Sequence, residues 1–158
     1  MHELLTVDII DNNKGGHVDL LFSIPDLIGD MLFDTYYFWI VVEPIESIDE
    51  IKNAVAQLLQ FWHDKILEIQ KGETIYLPID FSDQHTGCLR ILNNDKRLIL
   101  TYGFSNREGY TVDPLNPEDY YKEINDFQSS PEKQLTVNHD KFICTINRQI
   151  QKLKSMKT

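Results

Sequence analysis

At 158 residues the chain can bury roughly 70% of its unfolded surface in one core, so it needs no disulfide or metal staple to fold. Its 42% apolar and 25% charged residues place it outside the disordered class, and its longest apolar run, YYFWIVV, is too short for the about 20 residues of a membrane-spanning helix. The formal charge of −10 belongs to the first third: residues 1–50 hold eleven acids against Lys14 alone, while acids and bases balance in the remainder. Such a surface repels nucleic acid and anionic lipid and attracts a basic partner, although acidity also serves solubility.

No internal repeat, low-complexity tract or long linker breaks the sequence, which predicts one domain over 1–158. LLTVDII and HVDLLFSI read as strands joined through DNNKGG into a hairpin. The next stretch, SIPDLIGDMLFD, has two readings. As a helix with Ser23 as N-cap and Pro25 near its first position, it aligns Asp26, Asp30 and Asp34 on one stripe opposite Leu27, Ile28, Met31 and Leu32. Each i,i+4 like-charge pair would then cost roughly 0.2–0.5 kcal/mol and Gly29 would weaken the helix, a combination that suits an acidic ridge presented to a basic partner. As an irregular segment or a solvated face, the spacing carries no meaning.

TYYFWIVVEP, aromatic and β-branched on both faces, predicts a central strand covered on both sides and stopped by Pro44. SIDEIKNAVAQLLQFWHDKILEIQKG predicts a helix over 48–71. Ser47 and Glu50 form a capping box, Ile51, Val55, Leu58, Leu59, Trp62, Ile66 and Ile69 recur at helical period, and Gly72 follows. TIYLPIDF turns Ile75, Leu77, Ile79 and Phe81 inward, with Pro78 marking an edge strand or a bulge. CLRILNNDKRLILTYGF predicts a hairpin about Asn93, Asn94 and Asp95, and REG a return into a further strand at YTVDP. NPEDYYKEINDF predicts a short helix with Asn116 as N-cap and Pro117 after it. NHDKFICTINRQIQKLK closes the chain with an amphipathic helix burying Phe142, Ile143, Ile146, Ile150 and Leu153. The order predicts an α+β fold: a mainly antiparallel sheet with the long central helix and the C-terminal helix packed on one side, strand order undetermined.

The densest polar constellation is DFSDQHTGC. Asp80, Asp83 and His85 are residue types that bind a divalent metal or act as acid and base, but their spacing matches no motif of defined geometry, and turn residues of this kind more often solvate or cap backbone. The adjacent pairs His63-Asp64 and His139-Asp140 diverge by 100° on a helix and suit capping or surface roles. No phosphate-binding glycine loop, nucleophile elbow, zinc-protease or calcium-loop pattern is present. Cys88 and Cys144, far apart and without a CxxC partner, predict two buried, inert thiols; with no basic-then-apolar start in MHELLTVDII, this points to a reducing cytoplasm. Arg107 with Tyr102, Phe104 and Tyr110 makes an aromatic–basic loop that fits a protein interface better than nucleic acid.

The layout of YYFWIVVEPIESIDEI running into a long helix, then IYLPIDFSDQHTGCLRIL and LILTYGFSNREGYTVDP, then a closing helix, resembles over residues 36–154 the small immunity proteins encoded beside bacterial polymorphic or contact-dependent toxins. The resemblance implies a cytoplasmic, non-enzymatic protein that needs no cofactor and blocks one cognate toxin, often a basic nuclease domain. With the charge asymmetry it makes Asp26, Asp30, Asp34, Asp80, Asp83, His85, Arg107 and Tyr110 the expected partner surface. A different reading is a small metal-dependent hydrolase built on Asp80, Asp83 and His85. Another is a regulatory module that forms a homodimer through the aromatic 36–42 strand.

Overall fold

Alternating strands and two amphipathic helices build the fold seen in the computed structural model, which describes residues 3–13, 17–42, 47–122, 124–129 and 133–155. Residues 14–16 of the first turn and the Pro44 stop lie outside these. Three strands, β1 (Thr6–Ile10), β2 (Asp19–Ile24) and β3 (Gly29–Asp34), form one antiparallel sheet in that order. After α1 (Tyr36–Val41) and α2 (Ile48–Glu68), the second antiparallel sheet runs β4 (Thr74–Phe81), β5 (Thr86–Asn94), β6 (Arg97–Ser105), β7 (Leu135–Asn138), and α3 (His139–Ser155) closes the chain. The α+β class is as the sequence predicts, with the strands divided between two sheets.

The core follows the periodicities. Val7, Ile9, Leu20, Phe22 and Phe33 point inward from the first sheet, and Ile75, Leu77, Leu89, Ile91, Leu98 and Leu100 from the second. Between them α2 buries Ile51, Val55, Leu58, Leu59, Trp62 and Ile66, and packs along the Phe142, Ile146, Ile150 and Leu153 face of α3. Pro78, which has no N–H to give, sits on the edge strand beside the register shift between Pro78 and Asp80. Its carbonyl is used instead, accepting the Trp62 indole N–H at 3.1 Å.

Several expectations are corrected. Residues 23–34 are not helical: Ile24 ends β2, residues 25–28 turn, and β3 starts at Gly29, whose φ of 67° suits a residue without a Cβ. The aromatic segment is helix α1 rather than a strand. The Tyr36 N–H bonds Asp34 Oδ1, Thr35 O takes the Phe38 and Trp39 N–H groups, and the Trp39 indole donates to Thr35 Oγ1, so local bonds after Thr35 outweigh β propensity. A self-associating strand at 36–42 loses its element. Helix α2 ends at Glu68, short of 71, because Ile69 is extended and Asn93 Nδ2 takes its carbonyl; Ser47 is the N-cap, but its side chain makes no capping bond.

The return at YTVDP is a 3-10 turn over Gly109–Thr111, held because the Gly109 N–H bonds Ser82 O at 2.7 Å. Among the described residues of NPEDYYKEINDF, 118–122 make turns and 124–127 are irregular rather than helical, since Tyr120 is buried against Ser105 and the Tyr121 carbonyl accepts the Tyr76 N–H of β4. Cys144 is exposed on α3, while Cys88 is buried as expected. Strand β7 escaped the sequence reading because four residues carry too little alternation.

Gly103 on β6 lies under the 127–128 segment, where Phe104 and Gln128 exchange both backbone bonds at 2.8 and 2.9 Å. A Cβ there would run into the Gln128 backbone carbonyl, which cannot swing aside. Gly103→Ala is therefore expected to lower stability by about 1–3 kcal/mol, read as a reduced urea midpoint with an unchanged slope.

Candidate partner-binding surface

Sheet register decides where the acids point. Side chains alternate across a strand, so burying Val7, Ile9, Leu20, Phe22 and Phe33 forces their neighbours to the opposite face. Across the three strands those neighbours line up as Thr6–Ser23–Asp30, Asp8–Leu21–Leu32 and Ile10–Asp19–Asp34. The outer face thus carries four aspartates around Leu21 and Leu32, and Leu32 is 59% exposed. Asp8 is paired with Lys152 at 3.0 Å and Asp34 with His17 at 2.8 Å; among the described residues Asp19 and Asp30 form no ion pair. His17 also stacks on Tyr36, which extends the face onto the start of α1.

A second group adjoins it. The Tyr37 hydroxyl of α1 donates to Asp83, and this bond, with the Asp83 charge, pushes the Tyr37 phenol up to about 12. Tyr110 is exposed and donates to Glu108, which raises its phenol above the usual range.

Beside this surface a cleft of about 540 Å³ separates the 25–31 turn from the second sheet, walled by Pro25, Leu27, Ile28, Met31 and Phe104. Its polar groups are Asp80, His85, Tyr102 and Lys133. Burial raises the Asp80 carboxyl above the usual carboxylate range, opposed by His85, whose Nε2 stands 3.7 Å from Asp80 Oδ2. Ser82 Oγ holds the imidazole from the other side, 3.0 Å from Nδ1. Burial, then the Asp80 charge, pushes the Tyr102 phenol well up.

A carboxyl with a raised folded pKa binds its proton more tightly folded than unfolded, so its ionised form opposes folding at neutral pH. That penalty is relieved as pH falls through the raised folded pKa toward the unfolded value. Asp80→Asn is therefore expected to raise Tm at pH 7, and the gain is expected to shrink as the pH falls through that window, measured by melting across pH.

The predicted residues thus fall into three sets. Asp30 and Asp34 share the outer sheet face, although as strand residues; Asp26 is exposed in the turn at one end of it. Asp80 and His85 meet in the cleft, whereas Asp83 turns outward to Tyr37, so the three do not converge as a metal site would require. Arg107 is engaged within the chain: its guanidinium bonds Thr111 O, Asp119 O and Asp119 Oδ2 at 2.9–3.1 Å, clamping the loop that carries Tyr110. The adjacent pairs do touch, His63 to Asp64 at 3.1 Å and His139 to Asp140 at 3.2 Å, with the His63 bond holding the Asp64 carboxyl low. Among the described residues no three His, Cys, Asp or Glu side chains group to hold a metal, and no helix is long and apolar enough to cross a membrane. Burial pushes the Cys88 thiol up to about 12, away from nucleophile chemistry. Sequence reasoning missed Asp8, Asp19 and Leu21 and set Leu32 opposite the aspartates; the signal was the period of two in TVDII, DLLFSI and GDMLFD.

No family model and no curated protein matches the sequence. Among solved structures, the chain is similar to a chain of the CdiA-CT/CdiI toxin and immunity complex from Enterobacter cloacae, with a TM-score of 0.52 at 9% identity over 93% of this chain and 97% of the other. At that identity the likeness is one of fold, extending over most of both chains.

Proposed function

We propose that this protein is an immunity-type protein, acting in the cytoplasm, that binds and blocks a cognate toxin domain with the outer face of the first sheet. The observation that carries the reading is the ring of Asp8, Asp19, Asp30 and Asp34 around exposed Leu32 and its neighbour Leu21. An apolar centre inside a charged rim is the anatomy of a specific interface, and carboxylates of one sign speed encounter with a basic partner. The partner is a basic, nuclease-type domain, since a site that holds phosphates is positively charged and is occupied well by carboxylates. Asp26, Asp83, His85 and Tyr110 form the rim beyond the sheet, and Arg107 fixes the loop that presents Tyr110. The shared fold with a chain of a toxin–immunity complex supports this assignment.

The test is co-expression with the toxin domain encoded beside it. Cells are expected to survive with the wild-type protein, and the two chains to co-elute on sizing; death of the cells with both proteins folded and present would reject the proposal.

A further inference from the structure

The cleft beside the acidic face holds two polar groups that no hydrogen bond from a described residue satisfies, although Asp80 has His85 as a long ion-pair partner. No described donor lies within hydrogen-bond distance of the Asp80 carboxylate, His85 Nε2 being the nearest ion-pair partner at 3.7 Å, and no described residue hydrogen-bonds the Tyr102 hydroxyl. Both groups converge over Gly87. A Cβ there would stand 2.5 Å from Tyr102 Oη, 2.8 Å from Asp80 Cβ and 3.4 Å from Asp80 Oδ2. Glycine at this point of β5 lets both groups settle against the strand backbone, and apolar side chains wall the approach. A partly desolvated carboxylate with only a long ion pair to His85 gains from a donor that arrives within hydrogen-bond distance.

We propose that this cleft is a receptor for one cationic side chain of the partner, an arginine or a lysine. The inference rests on the partner-binding reading above and names the group that enters this part of the surface. A guanidinium is donor-only, so it can serve the Asp80 carboxylate and the Tyr102 oxygen together, while its methylene stem lies along Leu27, Ile28 and Met31. Phe104, edge-on to His85, lines the same cleft. A divalent metal is a poorer fit because, among the described residues, Asp80 and His85 are the cleft's only ligand-type carboxylate and imidazole and Asp83 is turned away. Lys133 also lines the cleft and would favour an anion instead, which makes it a useful discriminator.

The probes are N-acetyl-arginine amide and its neutral isostere N-acetyl-citrulline amide, titrated into the full chain and followed by ¹H–¹⁵N spectra. The arginine probe is expected to shift the Gly87, Gly103 and His85 amides saturably, and the citrulline probe to leave them in place. Asp80→Asn, checked by melting to be folded, is expected to weaken the arginine probe about tenfold or more, and Tyr102→Phe by a smaller factor. Lys133→Ala is expected to leave binding equal or tighter. Equal response to both probes, no shift at these amides, or loss of binding on Lys133→Ala overturns the cationic receptor. Failure here with intact toxin binding removes this inference alone. Arginine binding without any toxin binding removes the partner reading and the assignment of the cation to a partner, leaving only a cation-binding cleft.

Discussion

Trp62→Ala is expected to lower stability by about 3–5 kcal/mol, a drop in Tm on the order of 10 °C for a chain of this size. Trp62 has no exposed surface, and it joins three elements. Its ring meets Phe22 of β2 edge-on with centroids 5.9 Å apart, and its indole N–H satisfies Pro78 O of β4. Truncation opens a cavity where α2 meets both sheets and removes the donor that satisfies a buried carbonyl. Trp62→Phe keeps much of the volume and removes the N–H, so its loss is expected to be smaller, about 1–3 kcal/mol. Calorimetry separates the two; an alanine variant melting with the wild type would show that α2 does not tie the sheets together.

What could be read from the sequence was what a single period carries over many residues. Ile51 through Ile66 define α2, Phe142 through Leu153 define α3, and the Ile75, Leu77, Ile79, Phe81 alternation defines β4 with its irregularity at Pro78. The segment 23–34 was ambiguous for a physical reason. A spacing of four returns to the same side of a strand as well as of a helix, so Asp30 and Asp34 fit both, and it is the turn closed by the Leu27 and Ile28 N–H groups on Ile24 O that decides. Residues 36–41 differ from the strand expectation because bulky aromatics favour strands only where a neighbouring strand pairs with them, and the Asp34 side chain and the Thr35 carbonyl instead start a helix.

The charge count pointed to a third of the chain but not to a face. That face exists only once the register sets Asp30 beside Ser23, Leu32 beside Leu21 and Asp34 beside Asp19. The cleft was further from view. Asp80 and Tyr102 come together because β5 lies between β4 and β6 and presents Gly87 at the crossing, a tertiary fact without a local signature. The melting gain expected for Asp80→Asn and the binding loss expected for the same change express one trade: a carboxylate kept partly desolvated for a partner opposes folding when the partner is absent.

Replacing Asp30 by lysine and Leu32 by arginine puts two cations on the proposed face without touching the core. Both positions are exposed and outward, so stability is expected to stay within about 0.5 kcal/mol of wild type. Opposite a basic toxin domain the pair places like charges together and removes the apolar centre, which is expected to weaken binding by about 3 kcal/mol, roughly a hundredfold. The decisive measurement is titration calorimetry of the neighbouring toxin domain with wild type and Asp30→Lys/Leu32→Arg at low and high salt. Wild-type binding that weakens with salt, and a hundredfold loss in a variant that melts normally, is the predicted result; equal affinity for both proteins, indifferent to salt, would contradict the acidic-face account.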